Sequence, residues 1–458
     1  MKHSLISDNK DWKEVLYKWG IPIVMLLGIA IRIYCVAKMP YFCSTHDKGN
    51  LSFDESVPLE GHFGYIQYIW RNFSLPKGNP TTVWGFYNPP FFYITQAFLW
   101  KVLSVTGIFY DWEWFEFFQW IPLCCSVICS VYMYMILKEL KVKKEPLAIM
   151  TMLLFLHPVF IHFAINVTPD AMCMMFMTMA IYYTLVWYRK QTLKNIIAIA
   201  LCIGFGMMTK ISVALVAPGI GLVFLLVLFK NRERWKILCK QYVIFGCICV
   251  PIGLYWTIRN YILYRIPYNF VQRLSESETG LYLDPQKYSL KMRLGIPMKE
   301  CLQSIHFDLN PSDQYNIWAE IFKSALVDEI YLKLDTVLYQ KMIWVLFWTS
   351  VFLALILNFL FIYILVKSKI LSNIVKVLLG TTIFVIMAQF ILFCLDYPFT
   401  CTQSFRYIAV MLLFAAIGGG IGWEELKGKR GVIIKCGIAS LMLLFGICSV
   451  WIYFAQIV

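Results

Sequence analysis

Residues 52–93, SFDESVPLEGHFGYIQYIWRNFSLPKGNPTTVWGFYNPPFFY, follow the first long apolar run of a 458-residue chain. Three short motifs stand in this stretch: Phe53-Asp54-Glu55, then His62-Phe63-Gly64, and Asn88-Pro89-Pro90 just before the next apolar run. Carboxylates held at the surface of a bilayer cost desolvation energy, so an adjacent pair there indicates a functional site rather than packing.

The composition outside this stretch is that of a membrane protein. Hydrophobic residues make up 60% of the chain and charged residues only 15%. A soluble domain of this length could not bury so much apolar surface, whereas a run of about 20 apolar residues is enough to span a bilayer. The first run, 21–37, has lysines before it and no small-residue cleavage site after it. We therefore expect a retained span and a polytopic, all-α membrane protein.

The net charge of +14 reports topology rather than a nucleic-acid partner. More than half of the 41 Lys and Arg residues lie in six short segments between apolar runs: 1–19, 138–145, 188–195, 230–240, 365–376 and 424–435. Short basic loops mark the cytoplasmic side of a membrane protein.

With the basic loops inside, the apolar runs alternate as eleven transmembrane helices. We expect them near 20–38, 119–138, 146–165, 170–188, 195–209, 211–229, 241–258, 342–364, 377–395, 407–423 and 432–454. The N-terminus is then cytoplasmic and the C-terminus outside. A full span at 89–110 would put the basic segment 138–145 on the outer side, so we expect a juxtamembrane or re-entrant segment there.

This topology divides the chain into three parts. The first, 1–258, is a transmembrane module with an external loop at 39–118; an external loop or cap follows at 259–341; and 342–458 forms the C-terminal transmembrane helices. Among the fifteen cysteines we find no paired spacing that would predict a disulfide framework or a zinc site.

An apolar stripe in the first external loop predicts an amphipathic helix that lies flat in the outer interface. The stripe recurs at helical spacing and consists of Leu59, Phe63, Ile66, Trp70 and Phe73. Asp54 and Glu55 would stand at its start, where the helix dipole favours a carboxylate. An alternative interpretation is that Asp54 only caps this helix.

The motifs of residues 53–90 resemble the first luminal loop of protein O-mannosyltransferases, and more broadly the GT-C superfamily of integral-membrane glycosyltransferases. Two features depart from the mannosyltransferase pattern: residues 57–60 are interposed before Gly61-His62, and Asn88 stands where a His often precedes the prolines. The resemblance implies a GT-C-type bundle with juxtamembrane helices on the outer face.

Weaker points of resemblance are spread over most of the remaining chain. They are Thr168-Pro169-Asp170, Gly206-Met207-Met208-Thr209-Lys210, Trp256-Thr257-Ile258-Arg259-Asn260 and Phe405-Arg406-Tyr407. The predicted topology, which was derived without them, places all four on the outer face.

The resemblance implies roles for nine residues. Asp54 is the general base that takes a proton from an acceptor hydroxyl, and Glu55 supports it or binds the acceptor. The remaining candidates are the donor-binding residues Lys210, Arg259, Arg406 and His62, and the acceptor-binding or supporting residues Asn88, Asp170 and Tyr407. The alternatives are lipid-headgroup contacts for the cations and helix capping for Asp170.

We therefore expect a glycosyltransferase that moves one sugar from a polyprenyl-phosphate donor to an acceptor outside the membrane, with inversion at the anomeric carbon. Its partners are the lipid-linked sugar, membrane lipid and a protein or glycolipid acceptor. The alternatives are glycosylation of a lipid or cell-wall polymer, and a non-enzymatic flippase or transporter of lipid-linked sugars. We expect no essential metal, a divalent cation being the alternative, and a location in a bacterial plasma membrane.

Overall fold

A computed structural model describes residues 4–41, 47–107, 114–268, 270–276, 280–296, 314–328 and 336–456 of the chain. Within these residues the secondary structure is helical, apart from one isolated antiparallel bridge between Tyr282 and Phe399. Of the external loop predicted at 39–118, residues 42–46 and 108–113 lie outside the described residues.

Seventeen α-helices occur in this part of the chain. They are α1 Ser4–Lys38, α2 Gly61–Asn72, α3 Phe91–Ser104, α4 Trp114–Phe117, α5 Trp120–Glu139, α6 Lys144–Leu156, α7 Pro158–Ile165, α8 Asp170–Arg189, α9 Leu193–Met207, α10 Ala217–Lys230, α11 Trp235–Tyr264, α12 Leu290–Leu294, α13 Ile317–Leu326, α14 Val337–Val366, α15 Asn373–Asp396, α16 Met411–Glu425 and α17 Gly428–Gln456.

Nine helical segments among the described residues are long and apolar enough to cross a bilayer. A tenth span is formed if the 3₁₀ turns of Thr400–Ile408 and helix α16 are taken together, with a bend of 45° between them. The one predicted span that is not among these ten, at 195–209, corresponds to α9, which has only 15 residues and a length of about 22 Å. The helical membrane class is therefore confirmed, and the count of eleven stays a prediction.

Helix α3 has only 14 residues in the segment that we expected to lie outside the spans. Its length of about 21 Å is less than the roughly 30 Å of a hydrocarbon core. One side of α3 packs on α2 and buries Phe92, Tyr93 and Trp100, whereas Phe98 on the other side is 60% exposed. Helix α3 is thus shorter than a straight span, and its juxtamembrane or re-entrant position stays a prediction.

The transmembrane helices pack in two larger groups and one pair. Helices α5, α8, α9 and α11 lie side by side, while α14 packs against α16 and α17, and α6 contacts α1, α16 and α17. Helix α10 packs against α15. Helices α11 and α14 end and begin at Tyr264 and Val337, and the division of the chain at 258 and 342 stays a prediction.

The third predicted span is broken between α6 and α7, where His157 precedes Pro158. Proline has no N–H, so the carbonyl of Leu154 loses its partner in the helix. The guanidinium of Arg32, a fully buried residue of α1, donates to the carbonyls of Leu154 (3.5 Å) and Phe155 (3.1 Å). Arg32 therefore satisfies the helix break, which explains a cation within the membrane region.

Candidate active site

The first external loop is fixed by a backbone crossing just before α2. The N–H of His62 donates to the carbonyl of Asp47 (2.8 Å), and the N–H of Phe63 donates to that of Lys48 (3.0 Å). Gly49 and Gly61 have positive φ angles of 76° and 68° at this crossing. A Cβ on Gly61 would lie 2.4 Å from the nitrogen of Gly49, so only glycine fits. The crossing therefore closes residues 50–60 into a loop, here called the excursion, and places Asp47 beside His62.

Helix α2 is buried more completely than an interfacial helix would be. Its first seven residues and Ile69 are all buried, and Phe63 packs its ring against Trp100 and Phe118. The predicted apolar stripe is thus a helix face that packs on protein. Only Phe73, just past the helix end, is strongly exposed.

His62 is a buried histidine that hydrogen-bonds Tyr93, with 2.8 Å between its Nδ1 and the tyrosine Oη. Burial, and with it the positive charges of Lys210 and Arg406, lowers the pKa of His62 to about 4. The negative charges of Asp47 and Asp170 partly oppose this shift. The imidazole is therefore neutral at pH 7, and two carboxylates and two cations lie close enough to act on it.

The Asn88-Pro89-Pro90 motif is held between two neighbouring helices. Trp256 of α11 donates its indole N–H to the carbonyl of Tyr87 (2.9 Å), and the N–H of Phe91 donates to the carbonyl of Met208 (2.8 Å). Asn88 itself donates its side-chain amide to the carbonyl of Gly85 (2.9 Å) and closes a turn. The motif is therefore a rigid connection that carries Tyr87 over the ends of α9 and α11.

Lys210 and Asp170 form an ion pair between the start of α8 and the turn after α9. The side chain of Asp170 is 7% exposed and that of Lys210 is 22% exposed. Thr168 donates its hydroxyl to the other oxygen of Asp170 (3.2 Å). The ammonium also lies 4.7 Å from the ring centre of Tyr407. Lys210 thus links the turn after α9 to the Phe405-Arg406-Tyr407 motif.

Arg406 is a buried cation next to this ion pair. Its guanidinium donates to the hydroxyl of Tyr407 (3.0 Å) and lies 5.0 Å from the centre of that ring. Arg406 and Lys210 also both act on the phenol of Tyr87, whose pKa is raised by burial and by the negative charge of Asp47, and is lowered by these two cations.

These contacts bring four separate segments of the chain to one end of the bundle. The resulting group, here called the central cluster, consists of Asp47, His62, Tyr87, Asp170, Lys210, Arg406 and Tyr407. Five of these residues are among the nine candidates from the sequence. The cluster combines a neutral imidazole, phenol hydroxyls, two carboxylates and two cations, which can bind an anion and accept a proton.

Asp54 and Glu55 lie apart from the central cluster, at the exposed tip of the excursion. The carboxylate of Asp54 accepts from the N–H and the hydroxyl of Ser56, each at 2.8 Å. These hydrogen bonds hold its pKa below the usual value. Helix α2 begins at Gly61 with Glu60 at its N-cap position, so the interpretation of Asp54 as the cap of this helix is wrong. The catalytic role of Asp54 and the supporting role of Glu55 stay predictions.

Arg259 is hydrogen-bonded to the first external loop. Its guanidinium donates to the carbonyl of Pro76 (2.6 Å) and to the side chain of Asn260 (2.9 Å), and it stacks over Trp256 at 4.8 Å. Its contacts are therefore those of a residue that fastens the loop before Tyr87 to α11, and its phosphate-binding role stays a prediction.

Asp47 and Tyr87 are the two members of the cluster that sequence reasoning missed. Tyr87 directly precedes the Asn88-Pro89-Pro90 motif. Asp47 stands 15 positions before His62, and the excursion separates it from the motif. The signal that could have found it is the pair of glycines, Gly49 and Gly61, at the two ends of the excursion.

In the described part of the chain, no three His, Cys, Asp or Glu side chains come together as metal ligands. His157 and His162, five positions apart, serve separate contacts: His157 accepts from the N–H of Val159, and His162 hydrogen-bonds Tyr453. The expectation of no essential metal stays a prediction.

Comparison with known proteins identifies the fold. Residues 94–256, about a third of the chain, match the family described as dolichyl-phosphate-mannose-protein mannosyltransferase. A comparison with curated protein sequences finds no match.

Among solved structures, ArnT from Cupriavidus metallidurans bound to undecaprenyl phosphate aligns with a TM-score of 0.54 at 10% identity, over 94% of this chain and 75% of that one. The archaeal oligosaccharyltransferase AglB from Archaeoglobus fulgidus, in complex with an inhibitory peptide and a dolichol-phosphate, aligns with a TM-score of 0.50 at 12% identity. That alignment covers 96% of this chain and 56% of AglB, so the chain spans little more than half of the archaeal enzyme.

The chain therefore has the fold of the GT-C integral-membrane glycosyltransferases, as the sequence motifs predicted. Its similarity to the mannosyltransferase family lies in the helices from α3 to α11, which carry Asp170 and Lys210 of the central cluster.

Proposed function

We propose that the chain is a glycosyltransferase that moves one sugar from a polyprenyl-phosphate carrier to an acceptor hydroxyl, at the end of the bundle that carries the central cluster. The observation that carries this proposal is the convergence of Lys210 and Arg406 beside a neutral His62 and the carboxylate of Asp47. The GT-C fold supports it, and so do the polyprenyl and dolichol phosphates named with ArnT and AglB.

Lys210 and Arg406 would bind the phosphate of the carrier. Negative charge grows on this phosphate as the bond from the anomeric carbon to its oxygen breaks, and fixed cations stabilise that charge. Arginine can bind phosphate through two parallel hydrogen bonds, whereas lysine acts as a point charge. Because Lys210 pairs with Asp170 in this structure, a bound phosphate would share its ammonium with that carboxylate.

Asp47 is our candidate for the general base. Its carboxylate would accept the proton of the acceptor hydroxyl while the hydroxyl oxygen attacks the anomeric carbon and the polyprenyl phosphate leaves. This single displacement inverts the configuration at that carbon. Asp47 is preferred to Asp54 because its charge acts on His62 and Tyr87, while Asp54 is exposed and bonded to Ser56.

An apolar cavity near Arg406 supports a lipid-linked donor. Phe405, the neighbour of Arg406, lines this cavity together with side chains of α6, α13, α14, α16 and α17. Its lining is mostly hydrophobic and includes Leu353 and Leu357 of α14 and Phe445 of α17, beside the polar His157, Ser350 and Asn358. With a volume of about 70 Å³, the cavity suits a short part of an isoprenoid chain, whose burial is favourable in proportion to its apolar area.

The test is transfer of labelled sugars from undecaprenyl-phosphate donors in membranes, with wild type beside Asp47→Asn and Asp54→Asn. Loss of a general base lowers the rate by about 10²-fold or more. We expect this loss in Asp47→Asn and little change in Asp54→Asn, at equal amounts of inserted protein. A loss confined to Asp54→Asn would identify Asp54 as the general base. If wild type transfers no sugar from any donor, the glycosyltransferase proposal is wrong.

The acceptor is left open between a protein and a glycolipid or wall polymer, and the same assay separates them by the fraction that carries the label. The predicted spans are nearly free of ionisable groups, and Arg32 is the clear exception. Arg32 does not support the transporter alternative, because it is bonded to backbone carbonyls at the α6–α7 break. A flippase would move labelled carrier across vesicles without forming a labelled product.

A further inference from the structure

The segment 398–408, which carries Arg406 and Tyr407 of the central cluster, is held by the external region between α11 and α14. The N–H of Leu283 donates to the carbonyl of Pro398 (2.7 Å), and the N–H of Thr400 donates to that of Leu281 (3.0 Å). Arg293, also from this region, donates to the carbonyl of Cys394 (2.6 Å) at the end of α15. The external region is therefore joined by hydrogen bonds to the end of α15 and to the start of the segment 398–408.

Two further contacts come closer to Arg406 itself. Gln403 donates its side-chain amide to the carbonyl of Gln314 (3.0 Å). The hydroxyl of Ser324, on α13, accepts from the N–H of Phe405 (2.8 Å) and donates to the carbonyl of Glu320 (2.6 Å). Ser324 and Gln403 are both almost fully buried. A buried hydrogen bond of this kind fixes the backbone one residue before the guanidinium.

Two contacts at the C-terminal end of α13 hold this helix to the transmembrane bundle. Asp328, just past its C-terminus, is buried with an oxygen 3.8 Å from Nδ1 of His162 on α7. Tyr453 of α17 donates its hydroxyl to the carbonyl of Leu326. Helix α13 is thus anchored to the transmembrane bundle at one end and to the segment 398–408 through Ser324.

We propose that Ser324 is a positioning residue for the donor phosphate, which it serves by fixing the backbone that presents Arg406. This inference rests on the proposed function, because it assigns Arg406 to the phosphate. It makes α13 a part of the donor site rather than of a cover over it. Ser324 has no contact with the phosphate in this proposal and acts through Arg406 alone.

The experiment measures binding of undecaprenyl phosphate to the purified protein and compares Ser324→Ala, Ser324→Thr and a matched control, Ser368→Ala. Ser368, between α14 and α15, is a buried serine whose hydroxyl accepts from the N–H of Ile370 (3.2 Å) and donates to Glu425 (2.6 Å), and it lines neither the cavity nor the central cluster. Loss of one hydrogen bond predicts about a fivefold rise in Kd for Ser324→Ala. We expect Ser324→Thr, which keeps the hydroxyl, and Ser368→Ala to bind within about twofold of wild type.

A double-mutant cycle with Arg406→Gln separates positioning from general destabilisation. If Ser324 acts through Arg406, then Ser324→Ala has no further effect on Kd once the guanidinium is absent. The same fivefold loss in both backgrounds, or an equal loss in Ser368→Ala, would show a purely structural serine and overturn the inference. If wild type fails to bind undecaprenyl phosphate, the proposed function itself fails.

Discussion

At the residue scale, Lys210 pairs with the carboxylate of Asp170, and we propose that it also binds the phosphate of the donor. Replacing it with Met removes the ammonium and leaves Asp170 almost buried without its ion partner, which is destabilising. The double variant Lys210→Met/Asp170→Asn removes both charges. We expect it to insert and unfold like wild type but to bind undecaprenyl phosphate at least about tenfold more weakly. Wild-type affinity in the double variant would exclude Lys210 from the phosphate site.

His62 gives the site a predictable response to acid. Its folded-state pKa of about 4 lies below its usual value, so the unfolded chain takes up the proton first as the pH falls. Stability is therefore unaffected above about pH 6.5 and declines between about pH 6.5 and 4, by up to about 1.4 kcal/mol per pH unit.

The matched variant for this effect is His62→Gln, which has no titrating group at the position. We expect its thermal unfolding midpoint in detergent to fall less than that of wild type over the same pH range. An equal pH dependence of the two unfolding midpoints would show that His62 has the same pKa in the folded and the unfolded protein.

The sequence identified most of the central cluster because its members stand at the ends of apolar runs. His62, Asp170, Lys210, Arg406 and Tyr407 were each named from separate motifs, and the alternation of spans placed them on one side. Asp47 was missed for a physical reason. Its proximity to His62 depends on backbone hydrogen bonds across the excursion, and no periodicity in the chain encodes them.

At the scale of single elements, the α6–α7 break shows how a membrane helix tolerates proline. The carbonyl of Leu154 takes a hydrogen bond from Arg32, and that of Leu156 takes one from Ser449 (2.5 Å). In hydrocarbon each unsatisfied polar group costs several kcal/mol, so these side chains replace what the helix loses. The sequence showed Pro158 and Arg32 but gave no sign that they meet, since they lie in different spans.

This arrangement predicts that Arg32→Met is strongly destabilising and that Pro158→Ala partly rescues it. Alanine restores an N–H at position 158, which can bond the carbonyl of Leu154 in a continuous helix. We expect the thermal midpoint of the double variant to lie above that of Arg32→Met alone. An additive loss from the two substitutions would show that the guanidinium has another role.

For the whole molecule, the strongest prediction from sequence was the class of fold, and the comparisons confirm it. Composition, apolar runs and basic loops require only counting along one chain. The packing of α3 on α2, the Arg32 contacts at the break in the third span and the way in which α13 holds the backbone before Arg406 depend on contacts between distant segments. Those could not be predicted from local patterns.

The topology is tested by accessibility labelling of single cysteines in a cysteine-free background. Position 54 lies in the exposed tip of the excursion and position 143 in the basic loop between α5 and α6, where the side chain of Lys143 is 70% exposed. We expect a membrane-impermeant maleimide to label Asp54→Cys in intact cells and to label Lys143→Cys only after lysis. Labelling of both from the same side would overturn the predicted orientation.

The closed base of the excursion has a consequence for how such a chain can vary. Because the crossing at Gly49 and Gly61 is made by the backbone, the length of residues 50–60 is uncoupled from the geometry of His62. Lengthening a loop whose ends are already joined costs little entropy, about 0.6 kcal/mol for each doubling. Residues 54–56 are thus a natural point for inserted sequence, because a new recognition element added at this exposed tip leaves the positions of Asp47 and His62 unchanged.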